Sequence, residues 1–260
     1  MDLGIAGKVA IVTGGSSGIG LAIAQSFHNE GVTVVINGRD AAKLEAAVTQ
    51  IGPNCRGVVA DLTTAEGAAK LYAFARQSGP IAFLVNNIGR FDVEDFFDIS
   101  DERWHEYFEF NVMTGIRITR PVLKEMLDNN DGSIVFISSE AAVRSIPFMV
   151  HYSLTKTAQL GLSRALAEMT RGTRVRVNAY MPGPTATDSV KDYFHGIAAD
   201  RGISFDDVLQ GFFKDDQPGS LIQKLIDPEM HGRAVVQMAA NWAMNGTMQR
   251  ADGGAVHSIL

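Results

Sequence analysis

The chain has 260 residues, is 46% hydrophobic and 20% charged, and carries a formal net charge of −6. That balance is ordinary for a soluble globular protein, long enough for one large α/β domain or two small ones. The acidic excess, without a dense Lys/Arg block, excludes nucleic acid and an anionic membrane as expected partners. The single cysteine, Cys55, excludes an intrachain disulfide and a cysteine metal cluster.

The opening MDLGIAGKVAIV has no basic segment ahead of a long apolar run, so no signal peptide is expected. No uncharged apolar stretch approaches the roughly 20 residues of a membrane-spanning helix, and a cytoplasmic protein is expected. From there, short apolar runs alternate with helical patterns. KVAIVT reads as a strand, LAIAQSFHNE as a helix that stops at Gly31, and VTVVIN as a second strand. AAKLEAAVTQ follows as a helix capped by Asp40, then RGVVA as a third strand. Thr63-Thr64-Ala65-Glu66 fits a capping box that opens a helix through Arg76. IAFLVNN is a fourth strand. Ser100 caps a long helical stretch from Asp101 to Leu127, which Pro121 should kink or interrupt. GSIVFIS is a fifth strand, HYSLTKTAQLGLSRALAEMT a helix and VRVNAYM a sixth strand. Strands apolar on both faces and linked by helices predict a parallel sheet covered on both sides. Residues 188–226 break the rhythm, being polar, weakly periodic and dotted with Phe194, Phe205, Phe212 and Phe213. Such insertions are often lids over the carboxyl ends of the strands.

The first loop, TGGSSGIG at residues 13–20, satisfies two motifs. Gly14-Gly15-Ser16-Ser17-Gly18 fits G-x-S-x-G, the turn that exposes a hydrolase's nucleophilic serine. Gly14, Gly18 and Gly20, lying between a strand and a helix, equally fit a phosphate cradle. A hydrolase would need an acid and then a histidine further on. His151, His195, His231 and His257 are available, but no HGGG-like oxyanion segment appears. Downstream, Tyr152 and Lys156 stand at i and i+4 on one helical face. A free phenol titrates near 10, and an adjacent ammonium lowers that value. Three units of depression would need about 4 kcal/mol, so the pair requires help from a cofactor's positive charge and partial burial. Taken alone, it fits an ordinary exposed helical pair.

Together these motifs make the chain similar to the short-chain dehydrogenase/reductase family over nearly all its length. The likeness adds Asp61-Leu62, Asn86-Asn87-Ile88-Gly89, Asn111, GSIVFISS ending at Ser139, Pro182-Gly183-Pro184-Thr185-Ala186-Thr187 and Asp252-Gly253-Gly254. Ser139 stands thirteen residues before Tyr152, the family's spacing. The resemblance implies a single Rossmann-like doubly wound parallel sheet of about seven strands over residues 1–260, with residues 188–226 as a substrate lid, and a nicotinamide cofactor. It implies Tyr152 as general acid or base, Lys156 on the nicotinamide ribose and lowering the phenol's pKa, and Ser139 bonded to the substrate oxygen. It implies Asn111 as the anchor of a water relaying protons from Lys156. Gly14, Ser16, Ser17, Gly18, Ile19 and Gly20 would cradle the cofactor phosphates. Asp61 with Leu62 would meet adenine, Asn87 with Gly89 the adenine ribose side, and Pro182, Gly183, Thr185 and Thr187 the nicotinamide end. Ser138 points to the opposite face from Ser139. Three departures stand out. Ile88 replaces the alanine usual in NNAG, the stretch from Pro228 to Gly246 is short, and Glu140 follows Ser139 where small residues are common. A structural pair of Glu140 with Arg144 is favoured slightly over a place in the pocket.

After the second strand, VVINGRD places Gly38 where an acid would bind the 2′-hydroxyl of NAD, with Arg39 beside it. Losing the carboxylate removes a repulsion, and a guanidinium attracts a phosphate, so NADP(H) is expected over NAD(H). Asp40 argues the other way, although as a helix cap it would point away. Phe91, Phe96, Phe97, Ile146, Phe148 and Met149 lie in segments the family places near the pocket mouth. With Glu140 they form the candidate substrate surface, expected to suit a ketone or secondary alcohol with apolar substituents. The helix after Tyr152 is apolar on more than one face, which with the family's habit suggests a homo-oligomer, a tetramer or dimer. A serine hydrolase using Ser16 and a non-catalytic cofactor-binding protein remain as alternatives.

Overall fold

The computed structural model describes residues 2–258. Seven strands form one sheet, all pairs parallel, in the order β3-β2-β1-β4-β5-β6-β7. They are β1 (Val9–Val12), β2 (Thr33–Gly38), β3 (Cys55–Val59), β4 (Ile81–Asn86), β5 (Gly132–Ile137), β6 (Val175–Pro182) and β7 (Met248–Ala251). All of β1 and β5 is buried, as apolar runs covered on both faces require. The last strand ends before Asp252-Gly253-Gly254. Those residues form the turn beyond it, and both glycines take positive φ.

Nine helices connect the strands among the described residues: α1 (Gly18–Asn29), α2 (Ala41–Ile51), α3 (Ala65–Arg76), α4 (Asp101–Phe108), α5 (Thr114–Asn129), α6 (Val150–Met169), α7 (Asp188–Arg201), α8 (Phe205–Gly211) and α9 (Pro228–Ala240). On one face of the sheet Ile23 and Phe27 of α1 and Val235 and Val236 of α9 pack on Val12, Val34 and Val85. On the other face Leu71 of α3 and Ile118, Val122 and Met126 of α5 pack on Ile11, Leu84 and Ile134. The family-like expectation of a doubly wound Rossmann-type sheet therefore holds.

Two local expectations are corrected. The cap of α3 is Thr64, whose hydroxyl accepts from Gly67 N at 3.0 Å. Thr63 is drawn instead to Asp61 Oδ1, which accepts from its N–H at 3.0 Å and its hydroxyl at 2.8 Å. With Gly67 at the third helical position there is no side chain to complete a box. Likewise α5 runs through Pro121 without ending. The lost N–H costs one ladder bond, but Ile118, Val122 and Met126 on flanking turns are fully buried and hold the helix to the sheet. The irregularity falls earlier, in a π turn over Glu109–Met113 that carries Asn111. Asp40, Ser100 and Thr187 cap α2, α4 and α7 through their side-chain oxygens, Asp40 and Ser100 as expected.

Residues 188–226 form α7, α8 and a π turn at Phe212–Asp216. Phe194, Ala198 and Val208 make a small core of their own, joined by Phe205 and Phe212.

Replacing Thr64 by Ala should lower stability by about 1 kcal/mol in urea unfolding, whereas Thr63→Ala should cost only a few tenths. Equal losses would contradict the assigned cap.

Candidate active site

Strand order reverses between β1 and β4, and the loops leaving these strands diverge there. Their ends are tied together. Thr13 N donates to Val85 O at 3.0 Å, Asn87 N to Thr13 Oγ1 at 2.9 Å, and Asn87 Nδ2 to Thr13 O at 3.0 Å. Asn37 of β2, unremarked in the sequence, accepts from Gly14 N at 3.1 Å and donates to Ala60 O at 3.0 Å. Asn87 thus spends its amide on the first loop.

The glycine loop fits a phosphate group by its shape. A Cβ on Gly20 would lie 2.4 Å from both Gly14 O and Asn87 Nδ2, so only glycine brings α1 this close to β1. Gly18 takes φ +55°. The cap residue Ser17 makes no side-chain bond to α1, and no acid lies in its first turn. The helix therefore offers free N–H groups and an unopposed dipole to an anion. Ile88 leans over this loop, its Cγ1 3.2 Å from where a Gly14 Cβ would stand.

A cleft of about 770 Å³ runs from this loop across the carboxyl ends of the strands. Gly14, Ser16, Ser17, Gly18, Ile19, Arg39, Asp61, Leu62, Asn87, Gly89, Pro182, Gly183, Thr185 and Thr187 all line it, but Gly20 lies behind the loop. Arg39 stacks on the Phe110 ring at 5.2 Å and makes no ion pair among the described residues. Asp61 lies near enough to Arg39 to feel its charge. Its carboxyl is held below the usual range, chiefly by the Thr63 N–H.

Further along the cleft stand Ser139, Tyr152 and Lys156. Ser139 follows β5 and caps a short 3₁₀ turn (Glu140–Ala142), accepting from Ala141 N at 3.1 Å. Ser138 turns away and donates to Lys156 O at 2.8 Å, as strand alternation predicts. Tyr152 lies in the first turn of α6 and lines the same cleft as Ser139. Lys156 is buried. Its ammonium lies 5.7 Å from the Tyr152 ring and donates to Ile137 O at 3.0 Å and to Gln159 Oε1 at 3.3 Å. Burial pushes the Lys156 pKa down to about 7 and the Tyr152 phenol above its ordinary value. Burial leads the causes that hold the phenol up, with the Glu140 charge adding to it and Ser139 opposing.

Asn111 does not reach Lys156 directly. Its side chain clasps the Arg90 backbone, accepting from N at 2.9 Å and donating to O at 3.1 Å, and it also donates to Thr155 Oγ1 at 3.0 Å. Its main-chain carbonyl accepts from Gln159 Nε2 at 2.6 Å. Gln159, three residues past Lys156, thus bridges the two. The spacing was visible, but an amide among apolar helix residues gives no sign of its partners.

Among the substrate candidates, Phe91, Glu140, Ile146, Phe148 and Met149 line the cleft, and Phe91 stacks edge-on to Tyr152 at 6.4 Å. Phe96 and Phe97 do not. Phe97 is 91% exposed, and Phe96 packs on it and on Trp104. Tyr193, Phe194, Phe212 and Gln217 add a wall from the 188–226 segment. Glu140 makes no direct ion pair with Arg144. The guanidinium goes to Gln217 Oε1 and, at 2.7 Å, to Asp216 O.

The hydrolase alternative fails on its histidines. His231 sits between Tyr180 Oη (2.8 Å to Nδ1) and Thr185 Oγ1 (2.9 Å to Nε2), and burial pushes its pKa down to about 4. His151 packs on Tyr107 and Trp104, and His195 on Phe205. No hydrogen bond joins Ser16 to a histidine among the described residues.

A sequence profile of short chain dehydrogenases matches residues 8–198. The chain belongs to the short-chain dehydrogenase family. It is 42% identical to the Bacillus subtilis (strain 168) oxidoreductase YvrD, over the full length of both. L-sorbose reductase from Gluconobacter frateurii, solved with NADPH and L-sorbose, superposes with TM-score 0.94 at 31% identity, covering all of both chains. An actinorhodin polyketide ketoreductase variant, solved with NADPH, gives TM-score 0.87 at 27% identity, covering 95% of this chain and 97% of that one. As a member of the family the chain is an NAD(P)-dependent oxidoreductase. Membership also removes the alternative of a protein that only binds the cofactor. No described helix is long and apolar enough to cross a membrane.

Proposed function

We propose that this dehydrogenase interconverts a ketone and a secondary alcohol bearing apolar substituents, with NADP(H) preferred over NAD(H). The observation that carries the reading is the meeting of Ser139, Tyr152 and buried Lys156 in one cleft with the glycine loop and a wall of Phe91, Phe148 and Met149. A bound nicotinamide supplies or accepts the hydride. Tyr152 exchanges the proton at the substrate oxygen. Ser139 donates a hydrogen bond to that oxygen, where negative charge develops during reduction. Lys156, held by Ile137 O and Gln159, binds the ribose and carries positive charge toward the phenol as it loses its proton. Asn111 and Gln159 fix the depth at which the ammonium stands. The segment 188–226 closes the apolar wall and serves as the substrate lid.

The NADP preference rests on Gly38 and Arg39. No carboxylate ends β2 to repel a 2′-phosphate, and Asp40 is engaged as the cap of α2, accepting from Lys43 N at 3.0 Å. The two solved neighbours were complexed with NADPH, which agrees with this choice. Assembly as a homo-oligomer in the cytoplasm completes the reading. Exposed Leu154 and Met169 of α6, with Leu123 and Leu127 of α5 beside a shallow apolar groove, offer the face for a second copy.

Tyr152→Phe should lower kcat by about 10²–10⁴, with NADPH binding retained by fluorescence. Undiminished turnover across a panel of ketones would overturn the assignment of the proton donor. For Arg39→Ala, the KM for NADPH should rise by about tenfold or more, as expected for losing a charge-assisted phosphate contact, while that for NADH barely changes. An equal rise for both cofactors would remove the 2′-phosphate role. Light scattering should give a mass at least twice the 28.0 kDa of one chain; a monomer would end the oligomer reading.

A further inference from the structure

Glu140 is an acid that the chemistry above does not use. It sits in the 3₁₀ turn after Ser139 and is only 6% exposed, where a carboxyl needs partners or a proton. Its partners are few. Oε2 lies 2.9 Å from Ser139 Oγ, and Oε1 lies 3.5 Å from Gln217 Nε2, at the outer limit of a hydrogen bond. The charged and titratable groups facing it are Arg144 from the following loop, Asp252 beyond β7 and Tyr152 of α6. Arg144 attracts without touching the carboxyl, because its guanidinium is spent on Gln217 and Asp216. Asp252 repels, and among the described residues no cation pairs with Glu140 directly.

The bonds at Ser139 make the protonation of Glu140 matter. A serine hydroxyl has one proton to give and two lone pairs to fill. Ala141 N occupies one lone pair at 3.1 Å. If Glu140 is ionised it has nothing to donate, so the Ser139 proton must point at Oε2. The hydroxyl then offers the cleft only a lone pair, and a substrate carbonyl, itself an acceptor, finds no donor. If Glu140 is protonated, its O–H fills the second lone pair and the Ser139 proton turns to the cleft.

We propose that Glu140 is a positioning residue that sets the direction of the Ser139 hydroxyl: as a neutral acid it arms Ser139 to donate to the substrate oxygen, and as a carboxylate it captures that proton. The proposal rests on the reading of Ser139 as the contact to the substrate oxygen. Burial pushes Glu140 up to about 7, helped by Asp252 and opposed by its bond to Ser139, by its own backbone N–H and by Arg144, so the two forms exchange near neutral pH. Ionised Glu140 also raises the Tyr152 phenol.

Glu140→Gln keeps the size of the side chain and, through its amide N–H, a permanent donor to Ser139. With NADPH and 1-phenyl-1,2-propanedione as probe, wild-type kcat/KM should fall about tenfold between about pH 6 and about pH 8, the loss expected for a required acid titrating near 7. E140Q should lose most of that fall, keeping only the part that Lys156 causes as it titrates in the same window, and Glu140→Leu, which cannot accept the Ser139 proton, should lose it likewise, with thermal melts confirming that both variants fold. A wild-type fall in E140Q would overturn the proposal. A second measurement needs no turnover. The infrared C=O band of a protonated carboxyl should vanish as the pH rises through neutrality in the wild type and be missing in E140Q. An acid already ionised well below neutral pH would overturn the proposal even if the probe is reduced. An intact infrared titration with no reduction of any ketone would support the proton switch and sink the reductase reading instead.

Discussion

The chemistry of this chain depends on the reversal of strand order beside β1. Because every strand is parallel, all carboxyl ends meet at one edge of the sheet. Connections from β1 lead first to β2 and β3, and the chain then crosses back to β4, so the loops after β1 and β4 part and leave a crevice. Thr13 and Asn87 pin the two strand ends against each other with three hydrogen bonds of about 3 Å. That clamp fixes the distance from the glycine loop to the β4 loop, and Gly89 in turn lies against the head of Lys156. A Cβ there would come within 2.9 Å of Nζ. The glycine loop and α6 are therefore placed by this three-bond clamp at the centre of an apolar sheet.

Much of this was legible because the deciding information is local. Runs such as VAIV and GSIVFI are too short and too uniformly apolar for anything but buried strands, and Asp40 and Ser100 mark helix starts by chemistry that acts within three residues. Where the reading slipped, the answer lay outside the local window. Two adjacent threonines allow two cap registers, and Asp61 decides between them by claiming Thr63. Pro121 weakens a helix, yet burial against the sheet keeps it whole. Phe96 and Phe97 look like pocket residues until the turn that holds them is seen to face outward. Gln159 and Gln217 could not be ranked at all, since an amide's role is set by what the fold brings to it.

The site's residues share one electrostatic pressure. Burial penalises charge, so it moves each group toward its neutral form: Tyr152 and Glu140 up, Lys156 and His231 down. The results differ by partner. His231 is neutral and engaged at both nitrogens. With Tyr180 donating to Nδ1, its Nε2–H faces Thr185, whose hydroxyl bonds Gly183 O at 2.7 Å. That chain stiffens the Pro182–Thr187 loop and has no proton to spare. Lys156 and Glu140, both brought to about 7, are instead left where a proton costs little to add or remove.

This contrast bears on the direction of the reaction. A phenol that burial keeps protonated is equipped to give a proton, and carbonyl reduction needs one given as the alkoxide forms. Alcohol oxidation needs the reverse, a phenolate ready beforehand, and an ionised Glu140 next to Ser139 works against that charge. Lys156 alone does not compensate, since its own burial leaves it only partly charged at neutral pH and 5.7 Å from the ring. Burial thus keeps the phenol protonated in the cofactor-free cleft, and a neutral Glu140 beside Ser139 spares it a further negative charge.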